Sequence, residues 1–151
     1  RGRYAIPGVD FDAALLPKLF EGLSFRIGSY GDPAAIPASI WKTATRRVKN
    51  RTGYTHQWRK RIGAGLKGLC MASADSESDV SDANAKGWRT FRVRKHEAPT
   101  LANESVCPAS KEGGQRVQCD TCGLCQGATI AARNIVIADH GLMDARRRAV
   151  T

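Results

Sequence analysis

From Pro33 to Ala74 the chain contains no aspartate and no glutamate. The same stretch holds Lys42, Arg46, Arg47, Lys49, Arg51, Arg59, Lys60, Arg61 and Lys67. With no acids interleaved, such a run sets up a positive field that attracts polyanions. The whole chain carries 24 basic and 14 acidic residues, a formal net charge of +10. Nucleic acid is therefore the expected partner class. Lys42, Arg46, Arg47, Lys49, Arg51, Arg59, Lys60 and Arg61 are the expected phosphate contacts. A solvated helix face, with its counter-charges elsewhere in the fold, accounts for the same run.

Other absences narrow the field. No stretch reaches the ~18 apolar residues of a membrane span, so no membrane partner is expected. No leader-like segment is visible. The chain begins Arg1-Gly2-Arg3 rather than with Met, which suggests a fragment lacking its amino terminus. Aromatics are scarce at 7%, whereas glycine is frequent at 15 residues, a balance that suits many turns and modest side-chain volume. No nucleophile elbow or H-E-x-x-H pattern occurs. Gly28-Ser29-Tyr30-Gly31-Asp32-Pro33 resembles a phosphate-accommodating turn only loosely, since it lacks the Lys-Ser/Thr pair of a P-loop.

What is present is a cysteine cluster. Cys107, Cys119, Cys122 and Cys125 follow the pattern C-x11-C-x2-C-x2-C, and Cys70 is a fifth. Three cysteines within seven residues are too crowded for mutual disulfides and well spaced for a metal, which points to a reducing compartment such as the cytoplasm of a bacterial host cell. Asp120, Thr121, Gly123 and Gln126 around them offer no apolar core for unligated thiols to join. Two chemistries fit: a four-iron iron–sulfur cluster, or a structural zinc on four thiolates. A zinc ribbon shows two separated C-x2-C knuckles. Here Cys107 is followed by Pro108-Ala109-Ser110, which tilts the expectation to iron–sulfur with zinc as the alternative. Cys70 lies in an apolar run and reads as a buried structural cysteine.

Hydrophobic spacing gives the scaffold. Phe11, Leu15, Leu16 and Leu19 predict a short first helix. Leu23–Gly28 predicts a strand, and Ile36, Ile40, Ala44 and Val48 predict an amphipathic helix over Ile36–Arg51. Gly53–His56 and Leu66–Ala72 predict two further strands, with a loop or weak helix over Arg59–Lys67. Glu77–Lys86 predicts a polar helix capped by Ser76 and stopped by Gly87. Trp88–Val93 and Asn134–Asp139 predict strands, and Leu142–Val150 a last short helix. The alternation argues for a single α/β domain with a largely parallel sheet, partial-barrel-like or open, carrying a cysteine-rich metal-binding insertion over residues 105–127 before the last strand. A complete eight-stranded barrel needs ~250 residues.

Each predicted strand runs into polar residues, and in parallel α/β folds the site lies at the carboxyl ends of the strands. Asp32, His56, Asp75, Arg92 and His140 are the pocket candidates on that ground. Loops facing water explain any one of them alone. Trp41, Tyr54 and Trp58 lie amid the cations, a mixture that suits base stacking, although Trp41 at helical spacing also reads as core.

Several of these segments carry a resemblance. Arg26–Ala34, Gly53–Trp58, Met71-Ala72-Ser73, Gly87–Val93 and Cys107–Ser110 with Cys119, Cys122 and Cys125 resemble an uncharacterised family from bacteriophages and mobile elements. The resemblance covers roughly 23–141 and implies a cysteine-cluster α/β protein. Cys119-Asp120-Thr121-Cys122-Gly123 with Ala131–Ile135 is also similar to the zinc-ribbon tail of transposon-encoded RNA-guided nucleases, without the upstream paired knuckle and without an Asp before Ala131. Radical S-adenosylmethionine enzymes are similar in joining a partial barrel to an iron–sulfur cluster. Their C-x3-C-x2-C spacing does not occur here. Three functions follow: a nucleic-acid-associated metal-cluster protein, an iron–sulfur enzyme with its site at the strand ends, or a structural zinc module for protein interaction.

Overall fold

The structure, a computed structural model, describes residues 12–139. His140 and the helix expected over Leu142–Val150 lie outside the described residues, as does Phe11 of the first helix.

Six strands form one open, all-parallel sheet. They are β1 (Ser24–Ile27), β2 (Asn50–Thr55), β3 (Met71–Ala74), β4 (Thr90–Arg94), β5 (Glu104–Val106) and β6 (Asn134–Ala138). The spatial order is β1-β2-β3-β4-β6-β5. The first four strands therefore add side by side, and β6 then enters between β4 and β5. Among the described residues four helices punctuate the strands: α1 (Leu16–Leu19), α2 (Ala38–Ala44), α3 (Glu77–Ala85) and α4 (Cys119–Cys122). A short 3-10 turn follows β2 at Gln57–Arg59, and another fills Arg61–Leu66, inside the Arg59–Lys67 stretch expected as a loop or weak helix. No helix among the described residues is long and apolar enough to cross a membrane.

Three elements follow their sequence signals closely. In α3 the Ser76 hydroxyl accepts from Asp79 N–H, and the Asp79 carboxylate accepts from the Ser76 N–H, a complete capping box. Gly87, at φ 71°, ends the turn beyond it. β1 and β6 fall where the apolar runs lie.

Three elements differ. The strand expected over Leu66–Ala72 is β3, Met71–Ala74, because the 3-10 turn through Leu66 occupies the start of that apolar run. α2 ends at Ala44 rather than near Arg51, and β2 begins at Asn50. Thr45 stops the helix: it is buried, and its hydroxyl donates back to the Trp41 carbonyl at 2.8 Å. β5 was not foreseen at all. It is three residues long and begins with Glu104, a buried carboxylate no periodicity would mark.

The two faces of the sheet are covered differently. One packs Ile27, Trp58, Leu66, Cys70, Ala72, Ala83 and Trp88 into a core beneath the helices, with Phe25 and Trp41 against its edge. Cys70 is fully buried, as its sequence context suggested, and burial pushes its thiol up to about 12. Gly53 belongs here: a Cβ on it would stand 2.7 Å from Cys70 Sγ and 3.1 Å from Ile27 Cβ. The other face carries Met71 and Ile135 with Tyr54 and Phe91, and the chain from Cys107 to Cys125 lies over them.

Candidate metal centre and adjoining cleft

The four clustered cysteines reach one place from three pieces of chain. Cys107 follows β5, Cys119 and Cys122 open and close α4, and Cys125 lies in the loop leading to β6. All four line one small pocket of about 20 Å³, together with Tyr54, Pro108 and Ile135. Gly123 makes the arrangement sterically possible, since it ends α4 at φ 69°, in the left-handed region. Asn50 on β2 ties α4 to the sheet by donating to the Cys119 carbonyl at 3.0 Å. Ser24 on β1 donates to the next carbonyl, Asp120, at 3.2 Å.

The sulfurs have their own donors. The N–H groups of Ala109 and Ser110 bond to Cys107, opposing the burial that raises its thiol. Burial pushes the Cys125 thiol up to about 11, and the Tyr54 hydroxyl donates to it. Tyr54 itself is raised, first by burial and then by Cys125. Such donors stabilise a thiolate more than a thiol, and they are the usual surroundings of sulfur ligands. As they stand, no three His, Cys, Asp or Glu side chains among the described residues are set as the ligands of one ion. Tyr54 was expected only as a stacking aromatic. Its partner is Phe91, with ring centroids 4.3 Å apart, and Arg26 lies over its ring.

Comparison with family models, with curated proteins and with solved structures gave no match. The site is therefore read from its own geometry.

Beside the cluster a larger cleft of about 890 Å³ opens over the uncovered part of the same sheet face. Tyr54, Cys107, Ala109 and Cys119 line both spaces. Asp32, His56 and Ser73 form the rim at the carboxyl ends of β1, β2 and β3. The Asp32 carboxylate accepts from the Thr55 hydroxyl at 2.8 Å, from His56 N–H at 2.8 Å and from Ala34 N–H at 2.9 Å, and so locks two loops together. The His56 imidazole stands 3.6 Å from the Asp75 carboxylate. Three of the five pocket candidates thus converge.

Arg92 does not. Phe91 and Val93 line the cleft, and alternation turns Arg92 to the opposite face. There it donates to both oxygens of Glu104, at 2.7 and 2.6 Å, as half of a buried ion pair.

The cations of the acid-free stretch are divided. Lys42, Arg46, Arg47 and Lys49 lie before β2, and Arg59, Lys60 and Arg61 follow it. A six-residue strand separates the groups by roughly 20 Å. Arg47 pairs with Glu21 at 3.3 Å, and Arg59 pairs with Asp79 and Asp82 while stacking on Trp58. Arg51 is half-buried and donates to the Gly68 carbonyl at 3.0 Å. Lys42, Arg46, Lys49, Lys60 and Arg61 are the exposed remainder. Trp41 and Trp58 donate their indole N–H groups to the carbonyls of Pro33 and Ser73, so both serve the helix-side core rather than a stacking surface.

Proposed function

We propose that the chain is a nucleic-acid-associated metal–thiolate protein of the kind found in phages and mobile elements, with Cys107, Cys119, Cys122 and Cys125 as the metal ligands. The observation that carries this reading is the meeting of four cysteines from three pieces of chain around one pocket, with N–H donors on the Cys107 sulfur and an O–H donor on that of Cys125. The pocket, about 20 Å³, is of the order of one water molecule. That size favours a single tetrahedral ion, zinc first, over a four-iron cluster. A bound ion would order residues 107–133, which have few apolar side chains of their own, because ligand binding and folding are then one equilibrium.

Lys42, Arg46 and Lys49 would supply phosphate contacts at the amino edge of β2. Lys60 and Arg61 would supply them at the carboxyl edge. A strand of nucleic acid touching both groups must run along the helix side of the sheet. Metal and sulfide analysis of the full chain, purified under reducing and anaerobic conditions, should give one zinc per chain and no sulfide. Four irons with sulfide would replace zinc by the cluster, and no metal at all would overturn the reading. Binding to single- and double-stranded nucleic acid should weaken steeply with salt. No binding at low salt would remove the nucleic-acid part.

One observation favours a second reading, an iron–sulfur enzyme. The cleft is lined by Cys107 and Cys119, and it gathers Asp32 and His56, the latter beside Asp75, at the carboxyl edge where parallel sheets place their ligands. Iron and sulfide in the purified chain, with a small molecule protecting His56 from chemical modification, would support it. A zinc-only protein whose His56 stays freely reactive would rule it out.

A further inference from the structure

Three arginines at β4 are buried: Arg89, Arg92 and Arg94 expose 7%, 3% and 8% of their surface. Two of them meet a carboxylate. Arg92 pairs with Glu104 and Arg94 with Glu112. Arg89 has no carboxylate partner among the described residues. It donates instead to four carbonyl oxygens, those of Ala132 at 2.8 Å, Leu124 at 2.9 Å, Gly127 at 3.0 Å, and Arg133.

All four acceptors lie in the segment that carries Cys125 into β6. They satisfy the hydrogen-bonding capacity of the guanidinium, but carbonyl dipoles bring no net charge. A buried cation without a counter-charge is costly, and arginine does not escape the cost by losing its proton. One of the four acceptors, Leu124, lines the cysteine pocket beside Cys125, so an anion held in that pocket would supply the charge this cation lacks. Four thiolates on a divalent ion leave roughly two units of negative charge there.

We propose that Arg89 is a positioning residue for the cysteine site, acting as the fixed counter-cation of an anionic four-thiolate metal complex while its four carbonyl bonds hold Cys125 in place. The inference rests on the metal reading above and adds to it a charge requirement. It implies that the site needs at least three deprotonated sulfurs: three thiolates on a divalent ion leave the one negative unit that matches Arg89, four leave two, and two leave none. It also separates Arg89 from Arg92 and Arg94, whose charges are already matched.

The test uses the full chain under reducing conditions, with cobalt(II) and then zinc as probes. Wild type should take up one cobalt with the strong sulfur-to-metal absorption of four thiolate ligands. Arg89→Lys keeps the charge and loses bonds, whereas Arg89→Gln keeps donors and loses the charge. Arg89→Gln should bind about 10- to 100-fold more weakly than Arg89→Lys, with unchanged far-ultraviolet circular dichroism. Equal affinities of the two variants would overturn the counter-cation role and leave Arg89 a structural strut. A wild-type chain that binds neither metal would overturn the metal reading itself. If both variants fail to fold, the wild type still decides: the Arg89 side-chain Nε–H resonance should move when zinc is added, and an unmoved resonance counts against the proposal.

Discussion

The two faces of the sheet solve the same problem with different materials. The helix face is closed by volume: Ile27, Trp58, Leu66 and Trp88 pack under capped helices, with both indole N–H groups satisfied by carbonyls. The cysteine face has Tyr54, Met71, Phe91 and Ile135 as its floor, but a cover of turns, glycines and cysteines. Parallel sheets are normally buried on both sides. What the cover lacks in apolar volume is made up by directed bonds from Asn50, Ser24 and Arg89. The difference teaches that one face orders itself by the hydrophobic effect, whereas the other depends on directed hydrogen bonds.

The largest test strikes the helix face. Leu66 is fully buried, so Leu66→Ala should cost about 2–5 kcal/mol of stability, read as a shifted denaturation midpoint. That loss should be the same with zinc or with a chelator. A chelator-dependent loss would mean that the faces are not separate. The next test strikes the cysteine face. Zinc at a hundredfold excess over its Kd should add about 2.7 kcal/mol, and hydrogen exchange should slow in residues 107–133 while α3 stays unchanged. Uniform slowing would break the comparison. Removing the cap with Ser76→Ala should cost about 1 kcal/mol and act on the helix face alone. Tyr54→Phe removes the donor to Cys125 and should lower zinc affinity while moving the denaturation midpoint of the chelated chain less than Ser76→Ala does.

The smallest effect concerns pH. The bond from Arg59 holds the Asp79 carboxyl below its ordinary value, with help from the backbone N–H of Asp75. A lowered carboxyl contributes stability above its unfolded pKa and loses it as the pH falls. Melting temperature should therefore drop below about pH 4, and Arg59→Gln should flatten that drop slightly. An equal drop in Arg59→Gln would show that this exposed pair contributes nothing.

Local signals were legible wherever local physics decides. Ser76 capping α3, Gly87 ending it, and the apolar runs of β1 and β6 all act within a few residues. The helix over Ile36–Arg51 was read too long because four-residue spacing continues to Val48, while the turn at Thr45 depends on a buried hydroxyl. β5 carries no local signal, because Glu104 is held by pairing with β6, thirty positions away, and by the Arg92 guanidinium, twelve positions away. Arg92 leaves the cleft because strand alternation gives that face to Phe91 and Val93. For the site, the cysteine spacing was visible, and so were Asp32, His56 and Asp75 at strand ends. Arg89 and Tyr54 were not recognised for what they touch. Both sit at ordinary strand-edge positions, and only the return of residues 107–133 over the sheet gives them partners.

The strand order has a further consequence, for the sequence of events in folding. β5 has a single strand neighbour, β6, and the Cys107 N–H donates to the Val136 carbonyl at 2.9 Å. β6 is made after every cysteine of the cluster, yet it must slot between two strands synthesised earlier. During synthesis the first four strands can pair in turn as each emerges, while Cys107 waits unanchored until residues 134–138 arrive. Such non-local closure is expected to be the slow step of assembly. A nascent chain halted before Asn134 should therefore hold a formed helix-side core and four thiols still open to alkylation.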